Sequence, residues 1–241
     1  NNNNKWIGAG TKLAKFNDTT WTIYTASDFG IPNNLFWTIT IENNIKWLGM
    51  YSQGIIRYND TNYIHYTFSN SGIPSDDIRK IDLEQNNYKW IATMFGGLGK
   101  FNYNTNQWTV YNSTNSGLPY NNLSHVVVDR SLKKYIGILG GGLVIYNDSS
   151  WTYYTSSNSP LPGTSVRWIS VDSSNNKWIA TDNGLAVFNE NGIIGINEQQ
   201  TILPKSFILH QNYPNPFNPS TTIEYEIKSE SFVSLKIYDS G

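Results

Sequence analysis

The 241-residue sequence contains no cysteine, and only 15% of its residues are charged, with a formal net charge of −1. The lack of cysteine excludes disulfides, thiol catalysis and cysteine-ligated metal sites. The sparse and balanced charge argues against a nucleic-acid-binding protein, which needs a basic face. No apolar run reaches the length of a membrane span. Composition therefore favours none of these classes.

Helical periodicity is also missing, because no window of helical length repeats its apolar residues every 3.6 positions. Aromatic residues are instead abundant, with 9 Trp and 16 Tyr, which argues against disorder. The three histidines, His65, His125 and His210, do not have the spacing of metal ligands. No nucleophile-elbow motif occurs. We therefore predict an all-β protein with no metal and no cofactor.

A segment that starts with lysine and an aromatic residue recurs five times. Its copies are KWIGAG at Lys5, KWLGMY at Lys46, KWIATM at Lys89, KYIGIL at Lys134 and KWIATD at Lys177. Each unit also holds three other short segments rich in β-branched and aromatic residues, bounded by Gly, Asn, Asp or Pro. Four such segments in about 40–45 residues predict the four-stranded antiparallel blades of a β-propeller.

About five blades are visible over residues 1–190. Three complete units begin at Phe36, Ile78 and Leu123, and three strands of an earlier unit precede them. The last unit begins at Val166, and its fourth strand would be the weak segment NGIIGI at Asn191. A closed ring of five blades is one interpretation; a larger ring, of which these blades are a part, is the favoured one. Because the chain starts in mid-pattern without a signal peptide, we expect a fragment truncated at both ends, with the signal peptide upstream.

An acidic residue ends the first strand of successive units: Glu42, Glu84, Asp129 and Asp172. A carboxylate at this place can accept backbone N–H bonds and close the following turn. A catalytic or calcium-binding ring is the alternative. The structural interpretation is favoured because function seldom needs one copy in every blade.

The units GIPSDDIRKIDLEQNNYKWIATMFGGLGKFN and SVRWISVDSSNNKWIATDNGLAVFN resemble the two-component regulator propeller repeat. The resemblance covers Trp6 to Asn189. It departs in the first unit, which has AGTKL before its third strand, and in the fourth, where Tyr135 replaces tryptophan. The resemblance implies the extracellular or periplasmic sensor part of a bacterial hybrid histidine kinase, or a related exported protein.

The end of the chain differs from the repeat. After a predicted linker, 191–202, residues 203–241 contain QNYPNPFNPSTTI, which resembles the start of the C-terminal sorting domain of the type IX secretion system. The signature comprises Gln211, Asn212, Tyr213, Pro214, Asn215, Pro216, Phe217, Asn218 and Pro219. A proline-rich linker to another domain is the alternative.

This second resemblance implies a small β-sandwich, of which residues 203–241 would be the N-terminal part, and the type IX secretion machinery as a partner. It places the protein outside the cell or on the outer-membrane surface of a Bacteroidetes-like bacterium. The later strands of the sorting domain are absent from the sequence, so a copy ending here is expected not to be sorted.

Candidate ligand-binding residues are those that break the repeat in loops on one face of the propeller. They are Trp37, Tyr51, Arg79, Phe95, His125, Arg167, Trp168 and Asp182. Aromatic rings stack on sugars or peptide side chains, and arginine offers a planar set of donors. The alternative is that Trp37 and Trp168 only pack between blades.

We therefore predict a secreted or cell-surface, non-catalytic propeller that binds a glycan or protein ligand. An extracellular polysaccharide lyase or glycoside hydrolase is one alternative, and it would need two acidic groups, or an acid and a base, converging in a pocket. The irregular acids Asp76, Asp77 and Asp182 are the candidates for such a pair. A sensor domain of a hybrid two-component kinase is the other alternative, which the sorting signature disfavours.

Overall fold

The computed structural model describes residues 4–189, 192–196, 208–212 and 220–226. Within these ranges the regular structure is β-strand, apart from one short 3-10 helix, Ala26–Phe29. None of the described helical segments is long and apolar enough to cross a membrane. The chain divides into two compact units, Asn1–Ile196 and Asn197–Gly241. The all-β prediction is confirmed.

The first unit contains five antiparallel sheets, and in each of them the strands follow one another in chain order. The first sheet has three described strands and the other four have four each. In chain order the strands are β1 (Lys5–Ala9), β2 (Lys12–Phe16) and β3 (Trp21–Thr25); β4 (Phe36–Glu42), β5 (Ile45–Met50), β6 (Ile55–Tyr58) and β7 (Tyr63–Tyr66); β8 (Ile78–Glu84), β9 (Tyr88–Thr93), β10 (Leu98–Asn102) and β11 (Gln107–Tyr111); β12 (Leu123–Val128), β13 (Lys134–Ile138), β14 (Gly142–Tyr146) and β15 (Trp151–Tyr154); β16 (Val166–Val171), β17 (Lys177–Thr181), β18 (Gly184–Asn189) and β19 (Gly192–Ile196). These are the blades that the repeat predicts.

The weak segment after β18 forms the fourth strand of the fifth blade. Asn189 pairs with Gly192 and Leu185 pairs with Ile196 in an antiparallel register. Without β19, strand β18 would present an unpaired row of backbone N–H and C=O groups. The fifth blade therefore extends into the residues 191–202 that the sequence analysis placed in a linker.

The second unit contains a short two-stranded antiparallel sheet, β20 (Ile208–Leu209) and β21 (Tyr225–Glu226). The amide of His210 donates to the carbonyl oxygen of Glu224 at 2.9 Å and extends this pairing. Signature residues 213–219 lie outside the described residues, as do 227–241. The sandwich therefore stays a prediction beyond this one pair of strands.

The core of the propeller lies between neighbouring blades. The first strands of the four-stranded blades contact one another in chain order, β4 with β8, β8 with β12 and β12 with β16, and β1, the second strand of its unit, contacts β4. At the second junction Trp47 and Ile55 of one blade pack with Ile78, Ile91 and Phe101 of the next, and all five are at most 2% exposed. Because each blade is apolar on both faces, a single blade cannot bury its own core.

Steric constraints explain why glycine recurs at the start of the third strand of a blade. Gly54, Gly97 and Gly142 have φ values of 71°, 85° and 80°, in the left-handed region that glycine tolerates best. A Cβ atom at these positions would also overlap the carbonyl oxygen that ends the fourth strand of the same blade. The repeat therefore keeps glycine at this position because of backbone conformation and packing.

The acids that end the first strands have two different roles. Asp129 Oδ1 accepts the amides of Ser131 at 2.9 Å and Lys133 at 3.0 Å, as the turn interpretation predicts. Asp172 closes its own turn in the same way. The longer side chains of Glu42 and Glu84 instead reach lysines of the next blade. The turn prediction is therefore confirmed for the two aspartates and wrong for the two glutamates.

Lysines of the repeated segment connect adjacent blades. Lys89, Lys134 and Lys177 each lie on the aromatic ring of the preceding blade and form an ion pair with the acid that ends the first strand of that blade. We call these three side chains a junction triad; the described triads are Glu42–Trp47–Lys89, Glu84–Trp90–Lys134 and Asp129–Tyr135–Lys177. The lysine side chains are at most 5% exposed, so each buried ammonium needs its carboxylate.

Candidate ligand-binding cavity

A β-bulge occurs at the same position in the first strand of each complete blade. The pairing register shifts between Phe36 and Thr38, and it shifts at the corresponding position of β8, β12 and β16. A bulge inserts one residue and turns its side chain away from the regular alternation, and bulges are common beside binding sites. The inserted residues are Trp37, Arg79, Ser124 and Arg167.

These four inserted side chains line one central cavity with a volume of about 610 Å³. The other lining residues are Gly10, Leu35, Phe36, Leu139 and Trp168. All five blades contribute to this wall, so the cavity exists only because the blades are arranged around a centre. Its volume suits a small ligand.

One side of the cavity is a stack of an arginine on aromatic rings. The guanidinium carbon of Arg79 lies 4.7 Å from the ring centre of Trp37 and 5.8 Å from that of Tyr51. Asp77 holds the arginine in place, with Arg79 Nε 2.9 Å from Asp77 Oδ1. Burial raises the pKa of Asp77, and the charge of Arg79 opposes that shift. Trp37 and Tyr51 stay 49% and 43% exposed, and of the two rings only that of Trp37 lines the cavity.

A second part of the wall carries a tryptophan packed on a buried histidine. Trp168 is 56% exposed, and its ring centre lies 4.2 Å from that of His125. His125 is only 1% exposed, and neither ring nitrogen has a hydrogen-bond partner among the described residues. Burial, together with the charge of Lys80, lowers the pKa of His125 to about 3, so the ring is neutral at physiological pH. His125 therefore supports Trp168 from below and does not reach the cavity surface.

Two further candidates lie away from the cavity wall. Asp182 accepts the amide of Ser165 at 3.0 Å, and this hydrogen bond lowers its pKa. Its carboxylate therefore closes the loop before β16 and does not line the cavity, and its ligand-binding role stays a prediction. Phe95 is 69% exposed in the turn between β9 and β10 and does not line the cavity. Of the eight candidates, Trp37, Arg79, Arg167 and Trp168 line the wall, and Tyr51 stands behind it.

Ser124 is a wall residue that the sequence analysis missed. Its hydroxyl donates to the carbonyl oxygen of Val166 in the next blade. A signal for it was present, because Ser124 occupies the same place in LSHVVVD as Trp37 does in FWTITIE. His125 was predicted because it breaks the repeat, but the bulge turns Ser124 towards the cavity and leaves His125 outside its wall.

The cavity wall combines cationic, aromatic and aliphatic side chains. It offers two guanidinium groups, two open indole rings and hydrophobic side chains, which suit flat polar ligands. Among the described lining residues there is no carboxylate and no histidine. The described part of the chain also has no cluster of His, Asp and Glu that could hold a metal ion.

No protein-family model matches this sequence, and no curated protein matches it. Similarity is found instead among solved structures. The extracellular domain of the hybrid two-component system BT3049 from B. thetaiotaomicron has a TM-score of 0.69 and 25% identity over 80% of this chain and 28% of its own. That of BT4673 from the same organism has a TM-score of 0.67 and 21% identity over 80% and 26%.

PorZ, a surface component of the type IX secretion system of Porphyromonas gingivalis, also matches, with a TM-score of 0.59 and 13% identity over 80% of this chain and 33% of its own. The chain thus spans about a third or less of these three solved chains. A WD40 propeller domain, that of Doa1, has the same fold at 11% identity and a TM-score of 0.57. The chain is therefore a β-propeller whose blades are similar to the extracellular domains of Bacteroides hybrid two-component systems.

Proposed function

We propose that this chain is an extracellular, non-catalytic propeller that binds a saccharide in its central cavity. The observation that carries the proposal is the pair of open indole rings, Trp37 and Trp168, in a wall that also holds Arg79 and Arg167. Indole faces stack on the C–H faces of sugar rings, and guanidinium groups donate to hydroxyl or carboxylate oxygens. The extracellular assignment is supported by the similarity to extracellular domains.

A glycan-array screen of the full chain, followed by calorimetric titration of the best ligand, tests this proposal. We expect binding that Trp168→Ala weakens by at least about tenfold, because hot-spot tryptophans commonly contribute 2 kcal/mol or more. Trp21→Ala is the matched control, since Trp21 is equally exposed at 56% but lies on β3, away from the cavity wall. Binding to no glycan, or an equal loss in both variants, would refute the proposal. Binding to a peptide partner alone would do so too.

The enzymatic alternative makes a different prediction for the same ligand. A glycoside hydrolase or lyase needs an acid and a base, or two carboxylates, at the scissile bond. Neither Asp77 nor Asp182 lines the cavity: Asp77 is paired with Arg79, and Asp182 accepts the amide of Ser165. Incubation of the bound oligosaccharide with the protein should therefore leave its length unchanged. Shortened or unsaturated products would establish catalysis.

We also propose export by the type IX secretion system, on the strength of the sequence signature from Gln211 to Pro219. The test is expression of the natural gene in its own bacterium with and without a working type IX system. We expect the propeller on the cell surface or in the medium only when the system works. Equal surface exposure in both strains would exclude this route.

The similarity to hybrid two-component systems favours a second candidate, the sensor part of such a system. In that case the natural protein would stay attached to the inner membrane through a kinase. Cell fractionation of the same two strains separates the candidates. Recovery with the inner membrane in both strains would favour the sensor.

A further inference from the structure

The end of the propeller at which the cavity opens also carries three exposed aromatic rings outside the cavity wall. Because successive strands of a blade are antiparallel, the turn between the second and third strands and the loop after the fourth strand lie at the same end. The bulges that form the cavity lie at this end too, since they occur near the start of the first strands. We call the rings of Phe68, Phe95 and Tyr120 the aromatic track; they are 66%, 69% and 51% exposed.

Each ring of the aromatic track departs from the repeat. Phe68 lies in the loop from the second blade to the third, Phe95 in the turn between β9 and β10, and Tyr120 in the loop from the third blade to the fourth. These three blades each have a described blade on both sides, so the exposure of the rings does not come from an open blade face. The fold does not need a ring at these places, because the corresponding residues of a neighbouring blade are Ser113, Ser52 and Ser75.

Tyr120 adjoins the cavity. Leu139 lines the cavity wall, and its amide donates to the carbonyl oxygen of Asn122 at 3.1 Å. The ring of Tyr120 packs on the backbone two residues beyond Leu139, where a Cβ atom at Gly141 would lie only 2.8 Å from Tyr120 Cδ2. The glycine thus leaves room for the tyrosine ring over this turn. Tyr120 therefore stands next to the mouth of the cavity.

The turn that carries Phe95 lies beside the loop of Tyr120. The amide of Gly97 in this turn donates to the carbonyl oxygen of Asn121 at 3.2 Å. The turn is also closed by the hydroxyl of Thr93, which is fully buried and donates to the carbonyl oxygen of Gly97 at 2.7 Å. Phe95 is therefore presented to solvent by a turn that is already ordered, which lowers the entropy cost of binding.

Phe68 is the outermost ring of the aromatic track, because it follows β7, the fourth strand of its blade, by two residues. Its amide donates to Asp76 Oδ1 at 2.7 Å. The next residue, Asp77, accepts at its carbonyl oxygen the amide of Met94, the neighbour of Phe95, at 3.0 Å. The turn between β9 and β10 thus joins the two loops. The rings therefore follow one another from the mouth of the cavity outwards over the third blade.

Given the saccharide binding proposed above, we propose that the aromatic track binds further residues of the same sugar chain, so that the ligand is a polysaccharide strand that extends out of the cavity. Aromatic faces stack on the C–H faces of sugar rings. The exposed aliphatic side chains of the described propeller lie on strands and not in these loops, where the rings stand among serine and asparagine residues. Separate rings among polar residues suit a sugar chain, whereas a protein interface has a contiguous apolar core.

Two substitutions remove the rings nearest to the cavity without a foreign residue at either place. Phe95→Ser and Tyr120→Ser introduce the residue that the repeat has in another blade, Ser52 and Ser75. The double variant should therefore unfold in urea like the native chain, and the two single variants replace it should it not fold. Tyr63→Ser is the matched control, because Tyr63 is 44% exposed but lies on β7 and not in the loops of the aromatic track.

A glycan array printed with ladders from disaccharide to decasaccharide, followed by calorimetric titration along each ladder that binds, tests the proposal with the full chain. For the native chain and Tyr63→Ser, affinity should rise at least about tenfold from the shortest bound member to the decasaccharide, since each stacked ring contributes about two- to tenfold. The double variant should bind the shortest member as the native chain does and lose this rise.

The ladders separate failure of this proposal from failure of saccharide binding in the cavity. Native affinity that is independent of length, or a double variant that keeps the full rise, would overturn the aromatic track and leave the cavity site standing. An equal loss at every length would also overturn it, because the rings would then act on the cavity or the fold. Binding of no member of any ladder would refute both proposals, and a protein partner as the sole occupant of the track would give one of these results.

Discussion

At the scale of single residues, His125 shows how burial without partners affects stability. Its pKa is lowered to about 3 in the folded protein by burial and by Lys80, whereas an unfolded chain has a histidine pKa of about 6.5. Between these values the unfolded chain binds a proton that the folded protein does not. The stability contribution of the neutral ring is therefore complete above pH 6.5 and is lost as the pH falls towards 3.

We predict that His125→Phe removes this acid sensitivity. Phenylalanine keeps the ring beneath Trp168, and it leaves no ring nitrogen without a partner. Chemical denaturation at a series of pH values should show the variant at least as stable as the native chain at pH 7. At pH 4 it should be more stable by an amount on the order of 3 kcal/mol. Parallel pH profiles for the two proteins would show that His125 titrates normally.

At the scale of elements, the junction triads explain why lysine recurs at a buried position. Asp129 in the third triad lies 2.7 Å from Lys177, and both side chains are at most 5% exposed. Burial alone would raise the pKa of Asp129, but the hydrogen bonds from Lys177, Ser131 and Lys133 outweigh burial and lower it. The contribution of Asp129 is therefore present above its unfolded pKa of about 3.9 and is lost as the pH falls through its lower folded value.

We predict that Asp129→Asn lowers the free energy of unfolding by about 3 kcal/mol at pH 7, because it leaves the ammonium of Lys177 buried without a counter-charge. Urea denaturation measures this, and the difference from the native chain should shrink below about pH 4. Asp148→Asn is the control: Lys134 also contacts Asp148, which is 50% exposed, but keeps Glu84. Asp148→Asn should lower the free energy of unfolding by no more than about 1 kcal/mol. Equal losses in the two variants would contradict the role of the triad.

The strands show what the sequence could and could not predict. The recurring lysine–aromatic segments and the turn residues were sufficient to predict the blades, because each segment repeats with its local chemistry intact. The cavity wall was harder, because a bulge shifts the alternation by one residue and exchanges the two faces of a strand. This is why His125 was predicted where Ser124 lies, whereas the prediction for Trp37, Arg79 and Arg167 matches the wall.

At the scale of the whole molecule, two sets of aromatic residues have different environments. The rings of the three junction triads, such as Trp90, are buried between blades, and the tryptophans at or beside the bulges, such as Trp168, stay open in the cavity. The blades supply the rigid frame, and the departures from the repeat supply the chemistry of the wall. How many blades complete the ring stays a prediction.

The difference between structural and cavity tryptophans can be measured without knowledge of the ligand. The free energies of unfolding of Trp90→Ala and Trp168→Ala are compared with that of the native chain in urea. Trp90 is fully buried in a junction triad, so its loss should cost about 3–5 kcal/mol. Trp168 is 56% exposed, so its loss should cost about 1 kcal/mol. A cost for Trp168→Ala as large as that for Trp90→Ala would show that the cavity tryptophan holds the propeller together and would contradict the account.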